Sequence, residues 1–405
     1  MATVTVPGGT GQAPVTYTYT SSAGLTVAQQ IANALGAASI GGTLTQSTST
    51  SGSISTPTPT SGGGASEVIV TGSGATTITA GSGSGGNFAV YNGSSPGNIT
   101  IGAGVQLVAG TVGGSYDATG ANAVIGAFGG NNTMVAAASG DSIGGGGGTN
   151  LYLASGANDS IVSAGVRDTV SAGISGNGDT VNVTSSSNDI VFGGTGSMIV
   201  GGMGTNETVS AGSGAATIFG GTSGTYFYNN STSPTFVDEG GANSVVGGSA
   251  QVTLFGSSSG GVINFSTQGS NPGGAVLSSA GIGNETLNAA GSAGPITAWG
   301  GTTGSELFVG GSGNDTLVAG GGSDTMTGGA GANYFAQVMS HATGGSLTIT
   351  DFSATDTFGL YGYGTAAEQT AINAATGSSI TLADGTTITF VGVKVSAIAS
   401  QIKIG

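Results

Sequence analysis

Three consecutive nine-residue units between Gly310 and Phe335 constrain the fold of this chain more than any other feature. Each has the form Gly-Gly-x-Gly-x-Asp-x-U-x, where U is a large apolar residue. The Asp position falls on Asp315, Asp324 and Asn333, and the U position on Leu317, Met326 and Phe335. Glycines supply the positive φ of tight turns, and the short run between them can form only a brief strand. One unit cannot bury its U residue alone, so the units are expected to stack as an all-β, parallel β-solenoid.

These repeats resemble those of the RTX (repeats-in-toxin) calcium-binding proteins, most specifically over residues 310–327. The resemblance implies a β-roll in which two nonapeptides form one coil and calcium lies between turns one coil apart on the same side. It also implies type I secretion, with an uncleaved C-terminal signal and folding outside the cell when calcium is met. Calcium, the type I secretion machinery and a secreted, extracellular or cell-surface location are therefore expected from the resemblance.

The same nine-residue spacing recurs upstream. Asx residues occupy the Asp position, each nine after the last, at Asn132, Asp141, Asn150, Asp159 and Asp168. We therefore predict a solenoid over residues 66–335, with one apolar residue of each unit inside. The predicted core residues are Ile143, Tyr152, Ile161, Val170, Val209, Ile218, Phe227, Val245, Leu254, Leu317 and Met326.

The flanking segments differ in composition from the repeats. Residues 1–40 predict a β-hairpin and one short amphipathic helix ending at Gly36. Residues 41–65 are rich in Ser, Thr, Gly and Pro, which is typical of a linker. Residues 336–405 predict a capping and secretion-signal region, with a helix opened by a capping box at Thr365 and Glu368, and a hairpin around Ala383-Asp384-Gly385.

The charge balance limits the partners. The chain has 3 Lys and Arg against 18 Asp and Glu, a formal net charge of -15, and no Cys. Such a chain repels nucleic acid and anionic lipid, and divalent cations are its natural partners. Without Cys there are no disulfides, so metal or assembly is the expected substitute. The N-terminus does not have the pattern of a secretory signal peptide, and no apolar stretch is long enough for a transmembrane helix.

Candidate metal ligands follow from the resemblance, which pairs Asp positions eighteen residues apart. The pairs are Asp315 with Asn333 and Glu306 with Asp324, and the glycines Gly310, Gly313, Gly328 and Gly331 let backbone carbonyls converge on them. Two upstream pairs, Asp141 with Asp159 and Asn150 with Asp168, lack most of these glycines. For these we expect turn hydrogen bonds and solvated ladders of Asx side chains rather than metal.

Enzyme chemistry has little support, because His341 is the single histidine and no nucleophile or metalloprotease motif is present. We therefore expect an extracellular structural protein that self-assembles into filaments, a matrix or a surface layer. The strands predicted at residues 3–5 and 15–19 would add to the open edge of a neighbouring copy, or would instead cap their own solenoid. The alternative function is a surface adhesin or ligand-binding module, and an RTX-type secreted enzyme ranks below both.

Overall fold

The computed structural model describes residues 2–6, 15–19, 29, 31–33, 37 and 44–405, apart from gaps at 60–63, 83–85, 111, 128, 174–176, 184–186, 202–203, 271, 280–282 and 340–343. The chain forms two compact units, Met1–Gly214 and Ala215–Gly405. In each unit the strands are mostly parallel and stack as a β-solenoid. The predicted all-β class and solenoid architecture are therefore confirmed.

The first unit opens with the predicted hairpin. Its strands are β1 (Ala2–Val6) and β2 (Val15–Tyr19), which pair antiparallel with Ala2 opposite Tyr19. Residues 29, 31–33 and 37 are helical, and the helix end expected at Gly36 lies outside the described residues. Ile31 and Ala32, two residues of the predicted apolar face, are buried.

The solenoid of the first unit has two parallel sheets, one of odd-numbered and one of even-numbered strands. Its strands are β3 (Leu44–Ser49), β4 (Gly52–Ser55), β5 (Ala65–Val70), β6 (Thr76–Thr79), β7 (Asn87–Tyr91), β8 (Gly97–Ile101), β9 (Val105–Ala109), β10 (Gly114–Ala118), β11 (Val124–Ala127), β12 (Thr133–Ala136), β13 (Ser142–Gly145), β14 (Leu151–Ala154), β15 (Ser160–Ser163), β16 (Thr169–Ala172), β17 (Asp179–Val183), β18 (Ile190–Gly193), β19 (Met198–Gly201) and β20 (Thr205–Ser210).

The second unit continues the same alternation and ends in short helices. Its strands are β21 (Ala215–Phe219), β22 (Ser223–Tyr228), β23 (Ser233–Val237), β24 (Gly241–Gly247), β25 (Val252–Phe255), β26 (Gly261–Thr267), β27 (Ala275–Ser278), β28 (Glu285–Gly291), β29 (Ile296–Trp299), β30 (Leu307–Val309), β31 (Thr316–Val318), β32 (Ser323–Thr327), β33 (Tyr334–Val338), β34 (Ser346–Ile349), β35 (Thr357–Tyr361), β36 (Ser379–Thr381), β37 (Thr387–Phe390) and β38 (Ile402–Ile404). The helices are α1 (Thr365–Ala374), α2 (Val395–Ile398) and a 3-10 turn at Ala399–Gln401.

The core of each solenoid is a column of U residues. Ile143 lies opposite Ile161 in the next coil, and Ile161 lies opposite Val181 in the one after. All three are fully buried, while alternate residues of each strand face outward. Each buried side chain of this size contributes about 1.5 to 3 kcal/mol relative to an exposed one. The sequence period therefore sets the coil, and strand alternation decides which residue faces the core.

One predicted core residue is wrong. Phe227 is only half-buried, and Tyr226 and Tyr228 on either side of it are fully buried. Tyr226 lies opposite Val245, nineteen rather than eighteen residues away. The turn between β22 and β23 is one residue longer than the repeat requires, so the strand before it shifts by one position and turns its other face inward.

The boundaries of the solenoid also differ from prediction. The segment expected to be a linker carries β3 and β4, which pair parallel with β5 and β6. Downstream of Phe335, where the nonapeptide spacing ends, β34, β35, β37 and β38 extend the two sheets of the second unit. Strand stacking needs extended backbone and alternating side chains, which Ser/Thr-rich segments also provide, so it does not require the glycine turns.

The hairpin and helix after the last coil of the second unit match the prediction in part. The hairpin of β36 and β37 forms, with Gly385 at φ +86 in its turn. Helix α1 packs against β36 and β38 and so covers the last coil. Its N-cap is Gly364 rather than Thr365, and the Glu368 carboxylate accepts a hydrogen bond from the Ala383 N–H at 3.2 Å. The predicted capping box is therefore wrong, because Glu368 ties the helix to the hairpin instead.

Candidate metal centre

The side chains at the Asp position of the first unit form two ladders along the stack. In each, the side-chain oxygen of one coil accepts a hydrogen bond from the backbone N–H of the preceding Asp position. One ladder runs from Ala123 through Asp141 (2.9 Å) and Asp159 (2.9 Å) to Asp179 (3.0 Å). The other runs from Asn132 through Asn150 (3.1 Å), Asp168 (2.7 Å) and Asp189 (2.7 Å) to Glu207 (2.8 Å).

These ladders confirm the hydrogen-bonding role expected for Asp141, Asn150, Asp159 and Asp168. The expectation that these side chains are solvated is wrong. Each of the four side chains is no more than 2% exposed. Burial raises the pKa of Asp159 to about 6, although the Asp141 N–H partly offsets this effect. Burial likewise raises the pKa of Glu207 to about 7. Backbone N–H groups of the adjacent coil donate to these side chains, so they are enclosed by backbone rather than solvated.

In the second unit, Asp315 and Asn333 belong to a ladder of the same kind. Asn333 Oδ1 accepts the Asp315 N–H at 3.0 Å, and Asp356 Oδ1 accepts the Asn333 N–H at 2.8 Å. Both Asp315 oxygens accept amide hydrogens, Oδ1 from Ile296 and Oδ2 from Gly311, each at 2.8 Å. The structure therefore brings this predicted pair together through the backbone, with each carboxylate oxygen of Asp315 already holding one donor.

Glu306 and Asp324 are arranged differently. Asp324 Oδ1 accepts the Glu306 N–H at 2.9 Å, and Asp324 Oδ2 accepts the Gly320 N–H at 2.8 Å. Glu306 is 2% exposed, yet neither of its carboxylate oxygens accepts a hydrogen bond. The Asp324 carboxyl lies close enough to interact with the protonated Glu306 side chain, whereas the N–H groups of Gly301 and Glu306 favour its charged form without forming hydrogen bonds to it. Burial, followed by the adjoining Asp324 carboxyl, raises the pKa of Glu306 to about 8.

The predicted glycines are required by the close stacking of these turns. A Cβ at Gly310 would collide with Asp315 Oδ2 and the Gly328 carbonyl, and a Cβ at Gly313 would stand 2.8 Å from the Gly294 carbonyl oxygen. At Gly328 it would stand 2.5 Å from Asn333 Nδ2. Gly331 has φ +98 and would collide with the Gly313 carbonyl. Backbone carbonyl oxygens therefore lie against the turns of the adjacent coil.

The residues between 300 and 335 fit a calcium ion. Calcium takes several oxygen ligands, including carboxylates and backbone carbonyls, and the buried, unpartnered oxygens of Glu306 are available to it. Asp324 contributes a second carboxylate beside them. Within the part of the chain that the structure describes, no three His, Asp or Glu side chains converge to hold a metal. Carbonyl oxygens of the glycine turns would therefore complete the site, and the bound ion would neutralise the two carboxylates.

Two acidic residues after the nonapeptide repeats accept hydrogen bonds from the backbone. Asp351 accepts the N–H groups of Gly328 and Gly329, each at 2.8 Å, and Asp356 accepts those of Asn333 and Ser353. His341 lies outside the described residues. Sequence reasoning did not identify Glu207 or Glu285, which are buried acids. The signal for both was a Glu two residues before a core residue. Asp238 and Glu239 form an acidic pair visible in the sequence, but Asp238 is buried and the repeat gave no signal for that.

Comparison with known proteins agrees with this geometry. Residues 300–335 match the family model of the RTX calcium-binding nonapeptide repeat, in four copies. No curated protein and no solved structure matches the chain. The helices that the structure describes are all too short or too polar to cross a membrane. Residues 300–335 are therefore RTX calcium-binding nonapeptide repeats, and their turns form the candidate metal centre of a β-solenoid.

Proposed function

We propose that this protein is an extracellular structural protein that folds with calcium after type I secretion and self-assembles into filaments, a matrix or a surface layer. The observation that carries the proposal is the sheet edge at β4, which within the described residues pairs only with β6. Unpaired strand edges pair with other chains unless something blocks them.

The C-terminal end of the second unit supports a directional contact. In the second unit, helix α1 packs on β36 and β38, and the β36–β37 hairpin turns back antiparallel. This end is covered, whereas the exposed residues of β4 are small, with no Lys or Pro to discourage pairing. A contact made by one open end is heterologous and does not close on itself, so it produces filaments or sheets.

We further propose that the protein is not an enzyme. The buried acids in the described ladders accept backbone N–H groups, which ties them to the fold rather than to a substrate. Calcium contributes by neutralising Glu306 and Asp324, so its binding free energy adds to the stability of the stacked turns. Calcium is scarce inside cells and abundant outside them, so folding would be delayed until secretion.

The edge can be tested at Ser53, an exposed residue of β4. Lysines on edge strands block pairing, so Ser53→Lys should abolish filaments seen by electron microscopy and light scattering in the presence of calcium. The matched control is Thr180→Lys, at an exposed residue of β17, which pairs on both sides. If Ser53→Lys polymerises as well as wild type and the control, assembly through this edge is wrong.

The role of residues 1–43 is tested separately. Strand donation by the β1–β2 hairpin predicts that a chain lacking these residues stays monomeric with calcium. A capping role predicts the reverse, because removal would expose the first coil and increase polymerisation. A full-length chain that remains monomeric at high concentration with calcium would contradict the structural function itself.

A further inference from the structure

Two buried acids outside the matched repeats meet across a glycine in the second unit. Asp238 lies directly after β23, and Glu285 is the first residue of β28. They are 3% and 0% exposed. Strand pairing places Gly261 of β26 between their coils. Gly261 lies opposite Gly241 of β24 on one side and opposite Glu285 of β28 on the other. The glycine at residue 261 therefore stands between the two acids in the stack.

The missing side chain of Gly261 makes the space that the acids share. Asp238 Oδ2 occupies the place where a Cβ on Gly261 would stand. From the next coil, Glu285 Oε2 approaches the Gly256 Cβ position to 2.9 Å and accepts the Ser257 N–H at 3.1 Å. The two side chains come from coils on either side of Gly261, and the charge of Asp238 acts on Glu285.

Each acid keeps one oxygen without a donor. Asp238 Oδ1 accepts Asn243 Nδ2–H at 2.8 Å, but Oδ2 accepts nothing. Glu285 Oε1 likewise has no hydrogen-bond partner. The sequence from residue 168 to residue 393 contains no Lys or Arg that could neutralise them. A buried carboxylate oxygen without a donor is costly, and burial followed by the Asp238 charge raises the pKa of Glu285 to about 7.

We propose that Asp238 and Glu285 bind a calcium ion in the space above Gly261, as a site separate from the nonapeptide repeats of residues 300–335. Two carboxylates from adjacent turns supply the hard oxygen ligands that calcium prefers. Asp238 is not at the Asp position of any repeat, so the nine-residue pattern does not produce this site. The ion would clamp the coils of β24, β26 and β28 where the nonapeptide spacing is irregular.

The site can be removed in two independent ways in the full-length chain. Glu285→Gln takes away one charge while keeping size, and Gly261→Ala places a methyl group where Asp238 Oδ2 stands. No positive φ is recorded at Gly261, so alanine suits its backbone. The control is Glu239→Gln, which makes the same charge change at the exposed neighbour of Asp238.

The measurement is the number of calcium ions bound at neutral pH, by equilibrium dialysis and native mass spectrometry with calcium as the only added metal. Wild type and Glu239→Gln should bind equal numbers, and Glu285→Gln and Gly261→Ala should each bind one ion fewer. Circular dichroism without calcium should show Glu285→Gln folded at least as well as wild type, because it removes an unpaired buried charge. Unchanged stoichiometry in either site variant, or failure of Glu285→Gln to fold, would overturn the proposal.

Discussion

Glu306 should stabilise the protein with calcium and destabilise it without calcium. The effect of Glu306→Gln on the free energy of unfolding is therefore expected to have opposite signs in the two conditions. Both oxygens of this carboxylate are buried and lack a hydrogen-bond donor, and the Asp324 carboxyl adjoins them. Without metal, burial and the Asp324 carboxyl raise the pKa of Glu306 to about 8, so folding near neutral pH must either take up a proton or leave an unpaired charge between coils. The amide of glutamine keeps the shape, carries no charge and can donate a hydrogen bond to Asp324.

The two effects can be given magnitudes. An unsatisfied buried group costs about 1 to 3 kcal/mol, so relief of this cost should stabilise the metal-free variant by roughly 2 kcal/mol. At a calcium concentration of about 100 Kd, one site stabilises the folded state by about 2.7 kcal/mol, which the variant loses. In a unit of this size each kcal/mol moves Tm by about 2 to 4 °C. Metal-free Tm should therefore rise by about 4 to 8 °C, and the calcium-induced rise should shrink by about 5 to 11 °C.

Thermal melts by circular dichroism, with chelator or with saturating calcium, provide the assay. Glu239→Gln, at an exposed carboxylate, is the control and should change neither melt appreciably. A variant that melts lower than wild type in both conditions would show that Glu306 packs or bonds in the metal-free fold. A variant with an undiminished response to calcium would show that Glu306 is not a ligand.

Two further results are expected in the first unit. Ile161→Ala should lower the free energy of unfolding by about 2 to 5 kcal/mol, because Ile161 is fully buried, whereas Val162→Ala on the outward face should cost about 1 kcal/mol or less in chemical denaturation. Burial raises the folded-state pKa of Glu207 from 4.5 to about 7, so the stability it contributes is present below about pH 4.5 and lost as pH rises through 7. The metal-free Tm should therefore fall as pH rises over this range, and it should fall less steeply in Glu207→Gln. An equally steep fall in the variant would contradict the role assigned to Glu207.

The sequence by itself determined the coil. A nine-residue period with glycine turns and one apolar residue can be satisfied only by stacking, and it correctly placed residues such as Ile161 and Met326 in the core. It also indicated the acids at the Asp position, because a short polar side chain two residues before the core residue recurs with the period. Where a strand shifts by one residue without changing the length of the repeat, as in β22, the period could not reveal it, and Tyr226 replaced Phe227 inside.

Only the tertiary structure decided what each acid does. Asp315 and Glu306 occupy equivalent positions in the repeat, yet amides from adjoining turns satisfy both oxygens of Asp315 and neither oxygen of Glu306. Asp238 and Glu285 are far apart in sequence and meet because Gly261 leaves space between stacked coils. Hydrogen-bond donors and free volume at a turn come from the neighbouring coils, so the local sequence of one repeat cannot specify them.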